Sequence, residues 1–219
     1  MRHLVIVSAG TSQPSTTRML ADRIAAETLE RLPELEVSAV ELAPLAVDIA
    51  RASVTGVPSA ELQAAIEQIA GADAVIAAAP VYEAGISGLF KSFVDVLDND
   101  LLIAKPVVLA ATAGSSRHAL VVDEQMRSLF AYMRALTLPT SVFAAPEDWG
   151  AAELGERIRR AATELAVVVQ AQIEQGIADR GWSGYRHEFA GNATRAEQTA
   201  ADTDFDSPLM RLAAGGRAD

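Results

Sequence analysis

The sequence contains no cysteine. This absence excludes disulfides, thiolate metal sites and cysteine nucleophiles, and it is compatible with the cytoplasmic location that we expect. Long apolar runs are also missing, because no stretch approaches the roughly 20 residues that a membrane-spanning helix needs. We therefore expect no membrane insertion. The apolar residues after Arg2 lead directly into a turn motif, which favours a first strand over a signal peptide.

Basic residues are scarce, since 18 Lys and Arg stand against 29 Asp and Glu and give a formal net charge of −11. This balance argues against a nucleic-acid-binding surface, which requires a basic face. It does not exclude an anionic ligand, because the N–H groups at a helix N-terminus can hold phosphate locally. His3 and His187 lack metal-ligand spacing, so we expect no metal site.

Apolar runs typical of buried strands alternate with stretches at helical spacing. The strands are predicted at His3–Ser8, Glu36–Leu42, Asp73–Ala79, Val107–Thr112 and Leu138–Ala144. The helices are predicted at about Ser15–Arg31, Ser59–Gly71, Ser87–Leu97, Leu120–Ala135 and 151–176, with a loop at 43–58. Such alternation implies a doubly wound α/β fold whose five parallel strands suit the flavodoxin-like order 2-1-3-4-5.

We expect one domain over residues 1–176, because the chain becomes polar beyond that point. Residues 177–219 then form a C-terminal tail or arm, which is either partly disordered or packed on a neighbouring subunit.

In a sheet of this order, ligands bind beyond the carboxyl ends of the strands. The loop after the first strand is rich in hydroxyl groups, which can donate hydrogen bonds to a phosphate beside a helix N-terminus. The hydroxyl-bearing residues are Ser8, Thr11, Ser12, Ser15, Thr16 and Thr17. The same composition is also typical of an ordinary helix cap, and from composition alone both interpretations stay open.

Two further loops reach the same edge of the predicted sheet. The second loop contains Pro80, Val81, Tyr82, Glu83 and Ala84, and could offer backbone atoms and an aromatic ring to a flat heterocycle. The third loop contains Thr112, Ala113, Gly114 and Ser115, whose small side chains let a ligand approach the backbone. Each loop by itself could be a plain connection. Their predicted convergence at one edge favours a ligand site.

These loops carry a family resemblance over about residues 3–170. The first loop, with Pro14-Ser15 and Thr17, resembles the FMN-phosphate loop of the NAD(P)H-dependent FMN reductases. Pro80-Val81-Tyr82 followed by Gly88-Leu89-Phe90-Lys91 resembles the signature P-x-Y…G-x-[LF]-K of that family. Thr112-Ala113-Gly114-Ser115 resembles its third flavin-contacting loop. Within the superfamily, the sequence is most similar to reductases that supply reduced flavin to a separate monooxygenase.

The resemblance implies an enzyme that transfers a hydride from NAD(P)H to FMN, with the flavin carrying the chemistry and no side chain acting as a nucleophile. It implies that the hydroxyl residues of the first loop surround the phosphate and that the second and third loops contact the isoalloxazine ring. Arg117 and His118 are candidate NAD(P)H contacts. A homodimer or homotetramer built around the helix that begins near Ser87 is also implied. Glu83 would place a carboxylate near the ring, which favours weak retention of FMN.

Two other functions are compatible with the same residues. One is an FMN-containing quinone or azo-compound reductase that keeps its flavin. The other is a flavin-binding electron carrier without its own NAD(P)H site.

Overall fold

The apolar runs of the sequence form one sheet in the computed structural model, which describes residues 2–182. The long strands of the sheet are β1 (Arg2–Ser8), β2 (Leu35–Glu41), β3 (Ala74–Tyr82) and β5 (Pro106–Thr112). The short strands are β4 (Gly85–Ile86), β6 (Leu136–Thr137) and β7 (Val142–Ala144).

Helices connect these strands. They are α1 (Thr16–Leu29), α2 (Ala46–Thr55), α3 (Ala60–Ala70), α4 (Gly88–Asp95), α5 (Arg127–Tyr132), α6 (Ala152–Gln170) and α7 (Ile173–Gly181). A π-helical turn over Val122–Met126 leads directly into α5. Among residues 2–182, no helix is long and apolar enough to cross a membrane.

The strand order confirms the predicted topology. The path runs β2-β1-β3-β5-β6, and every pair along it is parallel. The short strands β6 and β7 both pair with β5, so together they occupy the fifth position of the predicted order 2-1-3-4-5. The sheet is therefore the flavodoxin-like arrangement, whose ligand crevice lies at the carboxyl ends of β1 and β3.

The core lies on both faces of the sheet because successive strand residues point to opposite sides. In β1, Val5 and Val7 pack against the face covered by α2 to α5, whereas Leu4 and Ile6 pack against the face covered by α1 and α6. Burial on both faces explains why the central strands read as continuous apolar runs.

The prediction of a loop over residues 43–58 was wrong, since α2 occupies Ala46–Thr55. The helix begins after Leu45, whose side chain cannot accept a capping hydrogen bond, so the usual start signal is missing. It ends at Gly56, which adopts the left-handed conformation with φ +71°.

The third strand extends beyond the predicted end at Ala79 and passes through Pro80 to Tyr82. Proline is tolerated here because β1 already ends opposite Ala78, so that side of β3 needs no further N–H donor. On its other side, Pro80 lies in register with Thr112 of β5. This extension carries the second loop outward beyond the rest of the sheet edge.

The predicted strand Leu138–Ala144 is interrupted around Pro139, between β6 and β7. Side chains satisfy the polar groups of the break. The Arg127 guanidinium donates to the carbonyl of Leu138 at 2.9 Å, and Glu164 accepts from the backbone and hydroxyl of Thr140.

The C-terminal helix predicted over 151–176 consists of two helices. It breaks after α6, where Gln172 has φ +50°, and α7 continues to Gly181. The proposed boundary at residue 177 therefore falls inside α7, and the remaining tail lies outside the described residues.

Candidate functional site

The three predicted loops meet at the carboxyl edge of the sheet. The hydroxyls of Thr11 and Tyr82 lie 3.2 Å apart and join the first loop to the second. Those of Thr17 and Thr112 lie 2.7 Å apart and join the start of α1 to the end of β5. Side-chain hydrogen bonds thus connect all three loops, although each follows a different strand.

The hydroxyl groups of the first loop fall into two sets. Thr11, Ser12 and Thr16 are exposed at the N-terminal end of α1, whereas Ser8 and Thr17 are buried beneath the loop. The Oγ of Ser15 accepts from the N–H of Arg18 at 3.2 Å and caps the helix. The exposed set can donate to an anion, and the helix N-terminus adds N–H groups and a partial positive charge.

A glycine allows the first loop to turn tightly onto the helix. A Cβ built at Gly10 would lie 1.9 Å from the Oγ of Ser15 and 3.3 Å from the Cβ of Thr17. The N–H of Gly10 also donates to the buried Oγ of Ser8 at 3.4 Å. A side chain at position 10 would therefore displace the capping hydroxyl of Ser15.

Arg18 is the basic side chain next to this loop in the sequence, and it is bound to carboxylates. Its Nε donates to Asp22 at 2.7 Å, and its Nη1 donates to Glu41. Partial burial lowers the pKa of Arg18, but the hydrogen bonds and charges of the two carboxylates outweigh this and raise its pKa above the ordinary value. One carboxylate on α1 and one on β2 thus bind this guanidinium. The groups of the loop itself that can donate hydrogen bonds to a ligand are hydroxyl and backbone N–H groups.

The second loop is a two-residue hairpin between β3 and β4. Tyr82 pairs with Gly85, and both residues between them have positive φ, +46° at Glu83 and +62° at Ala84. Tyr82, half exposed at 51%, and the two turn residues project beyond the sheet, whereas Pro80 and Val81 are buried. An exposed aromatic face beside a hydroxyl-rich loop fits a flat ring that carries a phosphate on a flexible chain.

Gln125 holds this hairpin, and sequence reasoning missed it. Its Oε1 accepts from the N–H of Ile86 at 3.0 Å, and its Nε2 donates to the carbonyl of Ala84 at 3.3 Å. Gln125 belongs to the π-helical turn before α5 and lies far from the hairpin in sequence. A cavity of about 540 Å³ opens beside it, lined by Ile86, Gly88, Lys91, Glu124, Gln125, Ser128 and Leu129.

Hydrogen bonds to the last residue of β7 and to a residue after it fix the third loop. The N–H of Ala113 donates to the carbonyl of Ala144 at 3.2 Å, and the N–H of Ser116 donates to Glu147 at 3.3 Å. Gly114 is exposed, and Ser115 is half-buried and caps a short 3₁₀ turn over Ser116–His118. Arg117 is exposed and His118 is half-buried on that turn.

Glu147 adds a carboxylate that sequence reasoning also missed. Hydrogen bonds from its own N–H and from the Ser116 hydroxyl and N–H lower the pKa of Glu147 below its ordinary value of 4.5. Glu147 follows the carboxyl end of β7 and therefore lies at the same edge of the sheet as the three loops. Its position after a fifth strand is the sequence signal that could have identified it.

Known proteins are similar to the part of the chain that contains this site. A family model described as NADPH-dependent FMN reductase matches residues 1–150, well over half of the chain. The chain belongs to the NADPH-dependent FMN reductase family. All three loops and the turn over Ser116–His118 lie within the residues that match this reductase family.

Individual relatives agree with the family match. An FMN reductase (NADPH) from Pseudomonas aeruginosa is 39% identical over 168 residues, which cover 74% of this chain and 90% of that protein. The NADH-dependent FMN reductase SfnF from Pseudomonas fluorescens is 40% identical over 168 residues, covering 74% and 89%. An X-ray structure of an oxidoreductase from Corynebacterium diphtheriae has 43% identity and a TM-score of 0.75, covering 78% of this chain and 98% of that one.

These similarities confirm the predicted fold and family. They also confirm the prediction of an NAD(P)H-dependent FMN reductase that uses FMN and NAD(P)H. The residues that contact each molecule stay predictions.

Proposed function

We propose that this reductase treats FMN as a diffusible substrate and releases reduced FMN to a separate acceptor, such as a flavin-dependent monooxygenase. NAD(P)H donates a hydride to FMN, which yields NAD(P)⁺ and reduced FMN. The observation that carries the proposal is the pair of hydroxyl–hydroxyl contacts, Thr11 with Tyr82 and Thr17 with Thr112, that brings three ligand-competent loops to one sheet edge. The same proposal includes a cytoplasmic location. Proteins of that reducing compartment rarely contain disulfides, and this chain has no cysteine to form one.

The phosphate of FMN is assigned to the first loop. Thr11, Ser12 and Thr16 donate to its oxygens, and the dipole of α1 favours its negative charge. Ser8, Ser15 and Thr17 shape the loop from below, since their hydroxyls already contact protein groups. Because Arg18 is held by Asp22 and Glu41, the phosphate gains little from its charge, which supports weak retention of the flavin.

The isoalloxazine ring is assigned to the second and third loops. The backbone from Pro80 to Ala84, with the half-exposed ring of Tyr82, borders one side. The backbone from Thr112 to Ser115 borders the other. The carboxylates of Glu83 and Glu147 at this edge disfavour a negatively charged reduced flavin, which supports its release after reduction.

The nicotinamide nucleotide is assigned to the short turn after the third loop. Arg117 and His118 offer the basic groups there, and Arg117 is exposed to an incoming anionic ligand. Arg117 supplies a guanidinium that can donate several hydrogen bonds to a phosphate, and His118 supplies a ring N–H donor.

A homodimer or homotetramer is proposed around α4 and α5. Large apolar side chains are exposed next to these helices, with Leu120 at 67% and Tyr132 at 69%. The open cavity beside Gln125 lies between the same two elements. A second copy of the chain seated there would cover these groups and border the ring end of the site.

Anaerobic stopped-flow absorbance at the oxidised-flavin band tests the proposal, with the full chain, excess free FMN and either NADPH or NADH. Bleaching of many equivalents of FMN per subunit is expected. Bleaching limited to one equivalent would instead identify a reductase that keeps its flavin and serves another acceptor, such as a quinone or an azo compound. FMN binding without bleaching by either nucleotide would identify an electron carrier.

A further inference from the structure

The hairpin between β3 and β4 adopts a turn for which its sequence is poorly suited. Two residues with positive φ between paired strands are typical of a type I′ turn, which favours Asn-Gly. Here the two positions are occupied by Glu83 and Ala84, with φ +46° and +62°. A residue with a Cβ in this region is strained and persists only when surrounding contacts enforce the conformation.

Gln125 supplies such contacts on both sides of the strained residues. Its carboxamide accepts from the N–H of Ile86 at 3.0 Å and donates to the carbonyl of Ala84 at 3.3 Å. One planar group therefore fixes two backbone positions of a short hairpin. Gly85 completes the fit, because a Cβ there would approach the Oε1 of Gln125 to 3.3 Å.

The backbone that presents Gln125 is itself irregular. Gln125 lies in the π-helical turn Val122–Met126, and such turns occur often at functional sites. The neighbouring Val122 and Met126 are buried in the core, so the turn is anchored to the domain. The strained hairpin is thus tied to the rigid interior by one half-buried side chain.

We propose that Gln125 is a positioning residue that holds the Glu83–Ala84 turn in its left-handed conformation and thereby sets the affinity for the flavin ring. The inference rests on the proposed contact between this hairpin and FMN. Gln125 acts through the turn, so its importance depends on how much strain the turn contains. A turn that adopts the same conformation without strain makes the carboxamide dispensable.

This dependence defines the experiment. Gln125→Leu is made in the natural turn and, separately, in a Glu83→Asn/Ala84→Gly background, whose Asn-Gly turn favours positive φ. FMN affinity is measured by quenching of FMN fluorescence, and hairpin opening by amide hydrogen exchange of the peptide Val81–Ser87. In the natural turn, we expect Gln125→Leu to weaken FMN binding about tenfold and to speed exchange. In the Asn-Gly background, we expect a change of less than about twofold.

The control is Gln68→Leu, which removes an exposed glutamine whose Nε2 donates to Ser38 at 2.7 Å on another part of the domain. We expect neither FMN affinity nor hairpin exchange to change. Equal loss of affinity for Gln125→Leu in both backgrounds would overturn the proposal, because the effect would then not pass through the turn. Faster hairpin exchange with unchanged affinity would also overturn it, while the multiple-turnover assay still tests FMN reduction independently.

Discussion

The hydroxyl oxygens of Thr17 and Thr112 lie 2.7 Å apart in the interior, 95 residues apart in sequence. Thr17 is 2% exposed and Thr112 is 5% exposed, so water does not readily replace either partner. The contact joins the first turn of α1 to the last residue of β5. It therefore sets the distance between the loop assigned to the phosphate and a loop assigned to the ring.

Thr17→Val removes one partner of this buried contact and leaves the hydroxyl of Thr112 without it. We expect the free energy of unfolding to fall by about 1–3 kcal/mol, because a buried polar group then loses its hydrogen bond. Urea unfolding monitored by circular dichroism measures the change.

The matched variants are Thr112→Val and the double variant. When methyl groups replace both hydroxyls, neither position holds a buried hydroxyl that has lost its partner. The free energy of unfolding of the double variant should therefore fall by less than the sum of the two single losses. Strict additivity of the two losses would show that the hydroxyls do not interact in the folded protein.

Gly10→Ala places a methyl group 1.9 Å from the present position of the Ser15 Oγ. The loop must shift and the cap of α1 is disturbed, so we expect about 1–3 kcal/mol of destabilisation and a loss of FMN affinity. Thermal unfolding and FMN fluorescence titration measure the two effects. Gly150→Ala is the control, because a Cβ there meets open space among residues 2–182 and the substitution should change neither quantity.

Glu147→Gln tests the carboxylate bound to the third loop. The folded-state pKa of Glu147 lies below the ordinary value of 4.5, so its contribution to stability is present above that value and is lost as pH falls through the folded pKa. The wild type should therefore be more stable than the variant above pH 4.5, and the difference should shrink as the pH falls below that value. Urea unfolding across this range measures it.

Glu30→Gln is the control for this titration, because Glu30 is an exposed residue at the C-terminal end of α1. A pH profile for Glu30→Gln that matches that of Glu147→Gln would rule out a specific role for the Ser116 contact.

Lys105→Met tests the opposite edge of the sheet. Lys105 is fully buried, and its Nζ contacts the carbonyls of Ala70 and Ala72 and the carboxylate of Glu174 on α7 at 3.3 Å. Removing this cation while keeping Glu174 should destabilise the protein by about 3–5 kcal/mol. FMN affinity of the folded fraction should stay unchanged, since the site lies at the other edge.

The double variant with Glu174→Leu should recover part of the lost stability, because the carboxylate that faces Lys105 is then removed together with the cation. Unfolding in urea measures the recovery. A double variant less stable than Lys105→Met alone would contradict the importance of the ion pair.

The sequence predicts the fold well because burial on both faces gives the central strands a continuous apolar pattern. The carboxyl-edge loops follow from that pattern, since each comes directly after a predicted strand. α2 was missed because Leu45 provides no capping side chain. The end of β3 was misplaced because Pro80 usually stops a strand, and its tolerance here depends on where β1 ends.

The contacts within the site are less visible in the sequence. Gln125 bonds to a hairpin about 40 residues before it, and Glu147 bonds to a loop 31 residues before it. Gln125 has no local pattern that distinguishes it from a solvated polar side chain, and Glu147 is marked only by its position after the fifth strand. Their roles depend on tertiary geometry, which only the packed sheet and helices define.

The bond between Thr11 and Tyr82 has a consequence for how the crevice receives a ligand. Either hydroxyl of this exposed pair can be the donor, so the direction of the bond reverses when both hydroxyl hydrogens rotate about their own C–O bonds. An arriving phosphate or ring oxygen can therefore exchange partners with the pair while the backbone stays in place. The mouth of the crevice thus adapts through proton orientation, whereas the buried Thr17–Thr112 pair keeps its base fixed.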